Sequence, residues 1–199
     1  MRATLVVMVK EPRPGRVKTR LGRDIGMTAA AWWFRHQAAR LIGRVSDSRW
    51  RLVLAVSPDA EGLRSRVWPA SVPRQPQGAG TLGDRMARML RSQPKGPVCV
   101  IGADIPGIHR SHIYAAFRVL GRADAVLGPA PDGGYWLIGL KAPYRAPATV
   151  FEGVRWSTEH ARADTVASLR GMSVAEVATL RDVDTVDDLR MTARDARAT

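Results

Sequence analysis

Short apolar runs alternate with segments of helical periodicity along most of the chain, and this alternation restricts the fold more than any other feature. The predicted strands cover residues 4–9, 52–56, 98–101, 125–127, 135–140 and 173–177. The predicted helices cover residues 28–45, 82–90, 111–120, 157–169 and a segment that opens at Thr185. Apolar strands separated by helices are typical of a mostly parallel sheet with both faces covered. The sequence therefore predicts an α/β fold, a three-layer α/β/α sandwich.

The length and composition predict one domain. A chain of 199 residues, 45% hydrophobic and 25% charged, can bury a sizeable core and is too short for two ordinary domains. We expect a single domain over residues 1–190 and a flexible tail over 191–199. The apolar runs fall short of the roughly 20 residues that a membrane helix needs, and the first residues lack a signal-peptide pattern. Cys99 is the single cysteine, so no internal disulfide can form, and the expected location is the cytoplasm.

The formal net charge of +13 raises the question of a nucleic-acid partner. Clustered basic side chains bind nucleic acid by releasing counterions. Here the arginines are spread along the chain and interleaved with acids, and no zinc-finger spacing or RNA-binding aromatic motif occurs. We therefore expect no nucleic acid and a local site for an anionic nucleotide. A homo-oligomer is an open alternative, because an apolar contact between copies can be formed by Trp32, Trp33 and Trp68.

A cationic loop, residues 10–20, follows the first predicted strand directly. Ligands in such sheets bind beyond the carboxyl ends of the strands. A glycine permits a close approach of a phosphate to the backbone, and lysine and arginine supply point and forked charge. The candidate phosphate-binding residues are Lys10, Gly15, Lys18, Thr19 and Arg20. The P-loop pattern Gly-x-x-x-x-Gly-Lys-Ser/Thr is absent, and a solvated surface turn is the alternative.

A glycine-rich loop, residues 77–86, runs into the helix predicted at 82–90. Free amides at the start of a helix favour an anion or a polar ring edge, and glycines allow a planar base to lie against the backbone. The candidate residues are Gln77, Gly78, Gly80, Asp84 and Arg85. A flexible connection without a ligand is the alternative.

Three aspartates are candidates for binding a divalent cation. Asp104 comes just after a predicted strand, where a hard cation commonly shares a carboxylate with substrate phosphates; a plain turn residue is the alternative. Asp182 and Asp184 lie on one side of an extended segment, because side chains alternate along it. Two like charges so close together are costly unless a cation or an arginine balances them.

A tight turn at residues 132–136 and the segment 156–158 complete the polar features of the sequence. The two glycines of the turn, Gly133 and Gly134, bring the backbone near a ligand that Tyr135 or Trp136 can face. A hairpin turn without a role is the alternative. Ser157 is either an ordinary helix N-cap or a donor to a phosphate.

Six motifs occur in a fixed order along nearly the whole chain. They are Lys-x-Pro-x-Pro-Gly-x-Val-Lys-Thr-Arg-Leu (10–21), Gln-Gly-x-Gly-x-Leu-Gly-x-Arg-Met (77–86), Gly-Ala-Asp-x-Pro (102–106), Gly-Pro-Ala-x-Asp-Gly-Gly-Tyr-Trp-Leu-Ile-Gly-Leu (128–140), Phe-Glu-Gly-Val-x-Trp-Ser-Thr (151–158) and Asp-Val-Asp-Thr (182–185). Together they resemble the DUF2064 group of predicted glycosyltransferases. That group is similar to the molybdenum-cofactor guanylyltransferase-like proteins and to phospholactate guanylyltransferases, so the resemblance implies the GT-A nucleotide-diphospho-sugar transferase fold.

The resemblance also implies the ligands. The implied donor is a nucleotide-sugar or a nucleoside triphosphate, the implied cofactor is Mg²⁺ or Mn²⁺, and transfer is to a small acceptor. The loop 10–20 is implied to hold the phosphates and the loop 77–85 the base and ribose. The residues implied to line the acceptor side are Asp132, Gly133, Gly134, Tyr135, Trp156, Ser157 and Thr158.

The implied metal site lacks one aspartate of the pattern that the GT-A fold keeps. Asp104 stands where the fold keeps its metal-binding aspartate, but Gly102 occupies the first position of the Asp-x-Asp pattern. By the same resemblance, Asp182 and Asp184 complete the metal shell from the far end of the sheet.

Three classes of function remain open at this point. Transfer from a nucleotide requires that the charge on the leaving diphosphate be neutralised, which a cation on Asp104 together with Lys18 and Arg20 can supply. Asp132 is the candidate base if the acceptor is a hydroxyl. The first class is a glycosyltransferase, the second is a nucleotidyltransferase that releases pyrophosphate, and the third is a basic binding protein without catalysis.

Overall fold

Seven strands form one mixed sheet in the computed structural model, which describes residues 2–195. The strands are β1 (Ala3–Lys10), β2 (Trp50–Ser57), β3 (Arg74–Pro76), β4 (Val98–Gly102), β5 (Ala125–Pro129), β6 (Tyr135–Leu140) and β7 (Val174–Glu176). Their order across the sheet is β3-β2-β1-β4-β6-β5-β7. All neighbouring pairs are parallel except those of β6, which runs antiparallel to both β4 and β5. The predicted mostly parallel α/β fold is confirmed.

Helices cover both faces of this sheet. They are α1 (Thr19–Ile25), α2 (Met27–Val45), α3 (Asp59–Arg64), α4 (Leu82–Arg91), α5 (Arg110–Val119), α6 (Ala161–Ser168) and α7 (Val186–Asp195), with a 3-10 turn at Pro143–Arg145. Within residues 2–195, no helix is both long enough and apolar enough to span a membrane. Helix α7 extends through residues 191–195 of the predicted tail, and residues 196–199 of that tail lie outside the described part of the chain.

The two faces of β1 pack into two separate core layers. Leu5 and Val7 point into the layer that contains α2 and α5, while Val6 points into the layer that contains α4 and α6. Side chains alternate along a strand, so a strand buried on both faces must be apolar at every position. This explains why the continuous apolar runs of the sequence predicted β1, β2 and β4 correctly.

Several predicted boundaries differ from the structure. The helix predicted from residue 157 begins at Ala161, because Ser157 has a left-handed backbone with φ 61° and residues 157–160 form a turn. The cationic loop is shorter than predicted, because Thr19 already belongs to α1. Three short elements, α1, β3 and α3, and the 3-10 turn were not predicted. Trp68 is buried in the core, whereas Trp32 is exposed.

The reversal of β6 brings the functional loops together. Strands β1, β2 and β4 end at one edge of the sheet, and β5, which is antiparallel to β6, ends there too. Because β6 runs the opposite way, it begins at that edge with Tyr135. The loop after β1, the loop after β4 and the turn between β5 and β6 therefore share one edge.

Gly139 tests the packing of the reversed strand. A β-carbon at this position would lie 2.6 Å from Sγ of Cys99 and 2.8 Å from Cγ1 of Val126. We expect Gly139→Ala to lower the free energy of unfolding by about 1–3 kcal/mol, the usual cost of overpacking a core. Gly43, inside α2, has open space around it, so Gly43→Ala should raise that free energy by about 0.5–1 kcal/mol. Chemical denaturation of both variants would measure the two effects, and equal changes would contradict the packing argument.

Candidate active site

A cavity of about 470 Å³ opens at the edge where the functional loops meet. Its lining combines apolar side chains with a few charged ones, which is the usual character of a small-molecule site. The apolar wall consists of Met8, Leu82, Met86, Ile138 and Trp156, and the charged residues at the cavity are Lys10, Arg85, Asp104, Asp132 and Asp182.

Three carboxylates from two distant segments meet beside this cavity. Asp104 lies two residues beyond the end of β4, and Asp182 and Asp184 precede α7. One oxygen from each of the three lies within 4.8 Å of the others. Val183, which is fully buried, fixes this arrangement, because its N–H donates to the carbonyl of Asp104 over 3.3 Å. The alternation on either side of Val183 turns both flanking aspartates toward Asp104.

Lys18 lies within this acidic cluster. Its Nζ is 2.6 Å from Oδ2 of Asp104 and 2.5 Å from Oδ1 of Asp184, and 6% of its side chain is exposed. The backbone of Lys18 is left-handed, with φ 46°, at the N-cap of α1. Arg20 reaches Oδ2 of Asp184 over 3.4 Å from the solvent side. The cationic loop and the acidic residues are therefore in direct contact.

The electrostatic balance of the cluster shifts two pKa values. Burial raises the pKa of Asp182 to about 6, and the neighbouring charges of Asp184 and Asp104 add to that rise while Lys18 opposes it. Burial tends to lower the pKa of Lys18, but the charges and hydrogen bonds of Asp104 and Asp184 outweigh it, so the net pKa is raised. The ammonium of Lys18 thus stays charged, and the carboxylates exceed it in number.

The oxygen cluster fits a hard divalent cation. Mg²⁺ binds oxygens at about 2.1 Å, so oxygens that share the ion lie about 3 to 4 Å apart, close to the spacing of the three carboxylates. A β-carbon at Gly102 would lie 2.9 Å from Oδ1 of Asp104, so a residue with a side chain at this position would require the Asp104 carboxylate to turn.

The glycine-rich loop is held to the sheet by its own polar groups. The side-chain amide of Gln77 is buried and donates to the carbonyls of Val9 and Ala55, over 3.2 and 2.8 Å. Asp84 forms a capping box with Thr81 at the start of α4. Both side chains are thus engaged within the protein. Arg85 lines the cavity and contacts the loop through a bond from its Nε to the carbonyl of Gly80.

The turn between β5 and β6 packs against the segment that precedes α6. The N–H of Gly134 donates to Oδ1 of Asp132 over 2.9 Å. A β-carbon at Gly133 would lie 2.2 Å from the carbonyl oxygen of Glu159, so only glycine allows this contact. Tyr135 accepts a hydrogen bond from Thr165. Burial raises the pKa of the Tyr135 hydroxyl far above its usual value, which keeps it neutral.

The structure brings about half of the predicted site residues to the cavity. Those that line it are Lys10, Gln77, Arg85, Asp104, Asp132, Gly134, Tyr135, Trp156, Ser157, Thr158 and Asp182. Lys18, Arg20 and Asp184 join them through the acidic cluster. The residues that do not line the cavity are Gly15, Thr19, Gly78, Gly80, Asp84 and Gly133. The roles assigned to all of these residues remain predictions.

The sequence analysis predicted Trp156 as a site residue but missed the rest of the apolar wall. Met8 and Ile138 lie in strands, where an apolar residue indicates core packing and nothing more. Leu82 is 46% exposed although it is large and apolar. The one signal available in the sequence was Leu82, an apolar residue at the first position of the helix that follows the glycine-rich loop.

Comparison with protein families gives a match over residues 41–158, to the family described as "Uncharacterized protein conserved in bacteria (DUF2064)". The chain belongs to the DUF2064 family. The matched range contains Asp104 and the turn at 132–136, while Lys18 and the aspartates before α7 lie outside it. No curated protein matches the chain.

Solved structures share the fold of this DUF2064 chain. A proposed nucleotide-diphospho-sugar transferase from Desulfovibrio desulfuricans G20 is 30% identical, with a TM-score of 0.88, and the match covers 98% of this chain and 88% of that one. A manganese complex of a Mycobacterium tuberculosis H37Rv protein is 20% identical, with a TM-score of 0.56 and coverage of 96% and 97%. CMP:2-keto-3-deoxy-manno-octonic acid synthetase in complex with CTP is 11% identical, with a TM-score of 0.61 and full coverage of both chains. The chain has the nucleotide-diphospho-sugar transferase fold.

Asp182 makes the stability of the metal-free protein depend on pH. Its folded-state pKa of about 6 lies above the unfolded value of about 3.9. The stability that its protonation supplies is therefore complete below the unfolded pKa and is lost as the pH rises through about 6. We expect Asp182→Asn in EDTA to raise the melting temperature at pH 8 by about 3 °C more than at pH 4, which allows for solvent screening. An equal rise in melting temperature at both pH values would contradict the raised pKa of Asp182.

Proposed function

We propose that this DUF2064 protein is a metal-dependent, nucleotide-binding glycosyltransferase that uses a nucleotide-sugar donor and a small acceptor. One observation carries the proposal. A cationic loop and three carboxylates meet at the mouth of a partly apolar cavity, at the sheet edge where this fold class binds its ligands. The related protein from Desulfovibrio desulfuricans, a proposed nucleotide-diphospho-sugar transferase, supports the same class.

Asp104, Asp182 and Asp184 would hold Mg²⁺ or Mn²⁺. When bound, such a cation offsets the negative charge that develops on a leaving diphosphate. The chemistry of the donor set supports this assignment, because carboxylate oxygens are the ligands that both ions prefer. The manganese complex of the mycobacterial protein is further support.

The cationic loop would bind the diphosphate of the donor. Lys18 and Arg20 already lie at the carboxylates, and Lys10 lies at the end of β1 on the rim of the cavity. Their charges would stabilise the diphosphate most strongly when its bond to the sugar breaks. Gly15, in the loop between Lys10 and Lys18, would contribute a backbone donor, and Thr19, the first residue of α1, would contribute its hydroxyl.

The glycine-rich loop would bind the base and ribose mainly through its backbone and Arg85. Gly78 and Gly80 have φ values of 76° and 108°, which only glycine adopts without strain, so both would act by giving the loop its shape. Gln77 and Asp84 would act indirectly, because their side chains hold the loop on β1, on β2 and on α4.

The acceptor would bind between the turn at 132–136 and the segment 156–158. Asp132 is held through Oδ1 by the N–H of Gly134, so its Oδ2 can take a proton. In the transfer, the bond between the sugar and the diphosphate breaks and the diphosphate keeps the electron pair. The acceptor oxygen bonds to the sugar and its proton passes to Asp132. Trp156 and Tyr135 would present aromatic faces beside the acceptor.

Nucleotidyl transfer is the second candidate. The synthetase that shares this fold binds CTP, and the cationic loop has further arginines, Arg13 and Arg16, that a third phosphate would suit. These two arginines pair with Glu61 on α3, which favours a shorter phosphate chain and keeps glycosyl transfer as the first candidate.

One assay separates the candidates. The protein is incubated with Mn²⁺ and either a panel of nucleotide-sugars or a panel of nucleoside triphosphates, each with and without cell-extracted small molecules as acceptors. Release of a nucleoside diphosphate from a nucleotide-sugar supports glycosyl transfer, and release of pyrophosphate from a triphosphate supports nucleotidyl transfer. If no combination of nucleotide and metal shifts the melting temperature of the protein, both candidate functions are contradicted.

Asp104 is expected to be essential for the metal-dependent response. Asp104→Asn removes one of three anionic ligands, and the loss of a metal ligand commonly lowers affinity by about 10-fold to 100-fold or more. Binding of Mn²⁺ with a nucleotide, followed by isothermal calorimetry, should weaken at least to that extent while the metal-free protein remains folded. Asp187→Asn is the matched control, because Asp187 lies on α7 outside the cluster and pairs with Arg190. Equal affinities for the two variants would exclude Asp104 as a ligand.

A further inference from the structure

The ammonium of Lys18 occupies the space that the proposed function assigns to a divalent cation. Its Nζ contacts oxygens of both Asp104 and Asp184, over 2.6 and 2.5 Å. An ammonium and a divalent cation cannot both lie within contact distance of the same two oxygens, because like charges at that separation repel strongly. Binding of a cation between these carboxylates therefore requires Lys18 to leave.

We infer that Lys18 is an internal counter-ion of the acidic cluster, so that the site takes its divalent cation together with the phosphates of a nucleotide and discriminates against the free ion. The inference rests on the proposed function, because it assumes that Asp104, Asp182 and Asp184 bind the cation. To the proposed function it adds that the site recognises the divalent cation in complex with a di- or triphosphate.

The departure of Lys18 is costly without a new anionic partner. Its side chain is 6% exposed, and a charge that is moved away from two carboxylates without a replacement loses the interactions that offset its burial. A phosphate bound by the cationic loop would offer such a partner within reach of the same flexible side chain. Phosphate binding and cation binding are then coupled through one residue, and such coupling is reciprocal.

The backbone around Lys18 allows a side-chain movement without loss of structure. Val17 and Leu21 on either side are buried in the core, and the carbonyl of Lys18 accepts a hydrogen bond from Gly22 over 2.8 Å. The main chain is thus fixed at both ends of this turn. The ammonium lies at the end of four methylene groups, so rotation about side-chain bonds alone can carry it out of the cluster.

Chemical labelling of the unmodified protein tests the exchange directly. Acetylation of lysine amines, read by peptide mass spectrometry, should be slow at Lys18 in EDTA and fast at the exposed amines of Lys10, Lys95 and Lys141. At Mn²⁺ concentrations that saturate the protein without nucleotide, as measured by electron paramagnetic resonance, we expect the rate at Lys18 to rise about tenfold, since an amine freed from its ion pairs is accessible. An unchanged rate at Lys18 with Mn²⁺ bound would overturn the inference.

Substitution of Lys18 gives an independent test. Lys18→Met should bind Mn²⁺ in the absence of nucleotide about tenfold more tightly than the unmodified protein, which corresponds to about 1.4 kcal/mol, because no internal cation competes. Lys95→Met removes an exposed positive charge away from the cluster and should leave Mn²⁺ affinity unchanged. Lys18→Gln keeps an N–H donor for the carboxylates and should show the same gain if the methionine variant does not fold. A Mn²⁺ affinity in these Lys18 variants equal to or weaker than that of the unmodified protein would overturn the inference.

The proposed metal site and the counter-ion role of Lys18 fail in different ways. If the unmodified protein binds Mn²⁺ as tightly as Lys18→Met, the inference is wrong and the proposed metal site stands. If neither protein binds Mn²⁺, alone or with inorganic pyrophosphate, the proposed metal site is wrong and the inference falls with it.

Discussion

The burial of both faces of the central strands is the constraint on which the rest of the molecule depends. Because β1 and β4 are covered on either side, the polar side chains that follow these strands can reach solvent only where the strands end. The parallel pairing of β1 with β2 and β4 then sends all of these ends to one edge. The location of the candidate site is thus a consequence of packing. Its chemistry depends on the side chains in the loops that follow these strands.

The acidic cluster shows how such an edge can assemble a site from separate pieces. Asp104 comes from the loop after β4, Lys18 from the loop after β1, and Asp184 from the approach to α7. These carboxylates come from two segments that lie far apart in the sequence. The buried Val183, whose N–H donates to the carbonyl of Asp104, supplies the alignment that sequence neighbours would otherwise give.

The sequence predicted the layers of the fold and the placement of Asp182 and Asp184 on one side of their segment, because both depend on local patterns. That Asp104 joins this pair was implied only by the resemblance to DUF2064. Continuous apolar runs indicate buried strands, and Asp182 and Asp184 share one side of an extended segment whatever surrounds them. The position of Lys18 between those aspartates could not be predicted, since a charge in a loop does not reveal its partner across the molecule. Ser157 was assigned to a helix because serine is a common N-cap, but its left-handed backbone depends on the packing of the turn beside it.

The contact between Lys18 and Asp184 joins residues that are 166 positions apart. During synthesis on the ribosome, β1, β4 and the cationic loop emerge long before Asp182 and Asp184 do. A partly made chain can therefore fold much of its sheet while the acidic cluster still lacks two of its three carboxylates. The acidic cluster is complete only after the segment with Asp182 and Asp184 has packed against Asp104, so its formation reports that the chain has folded through to α7.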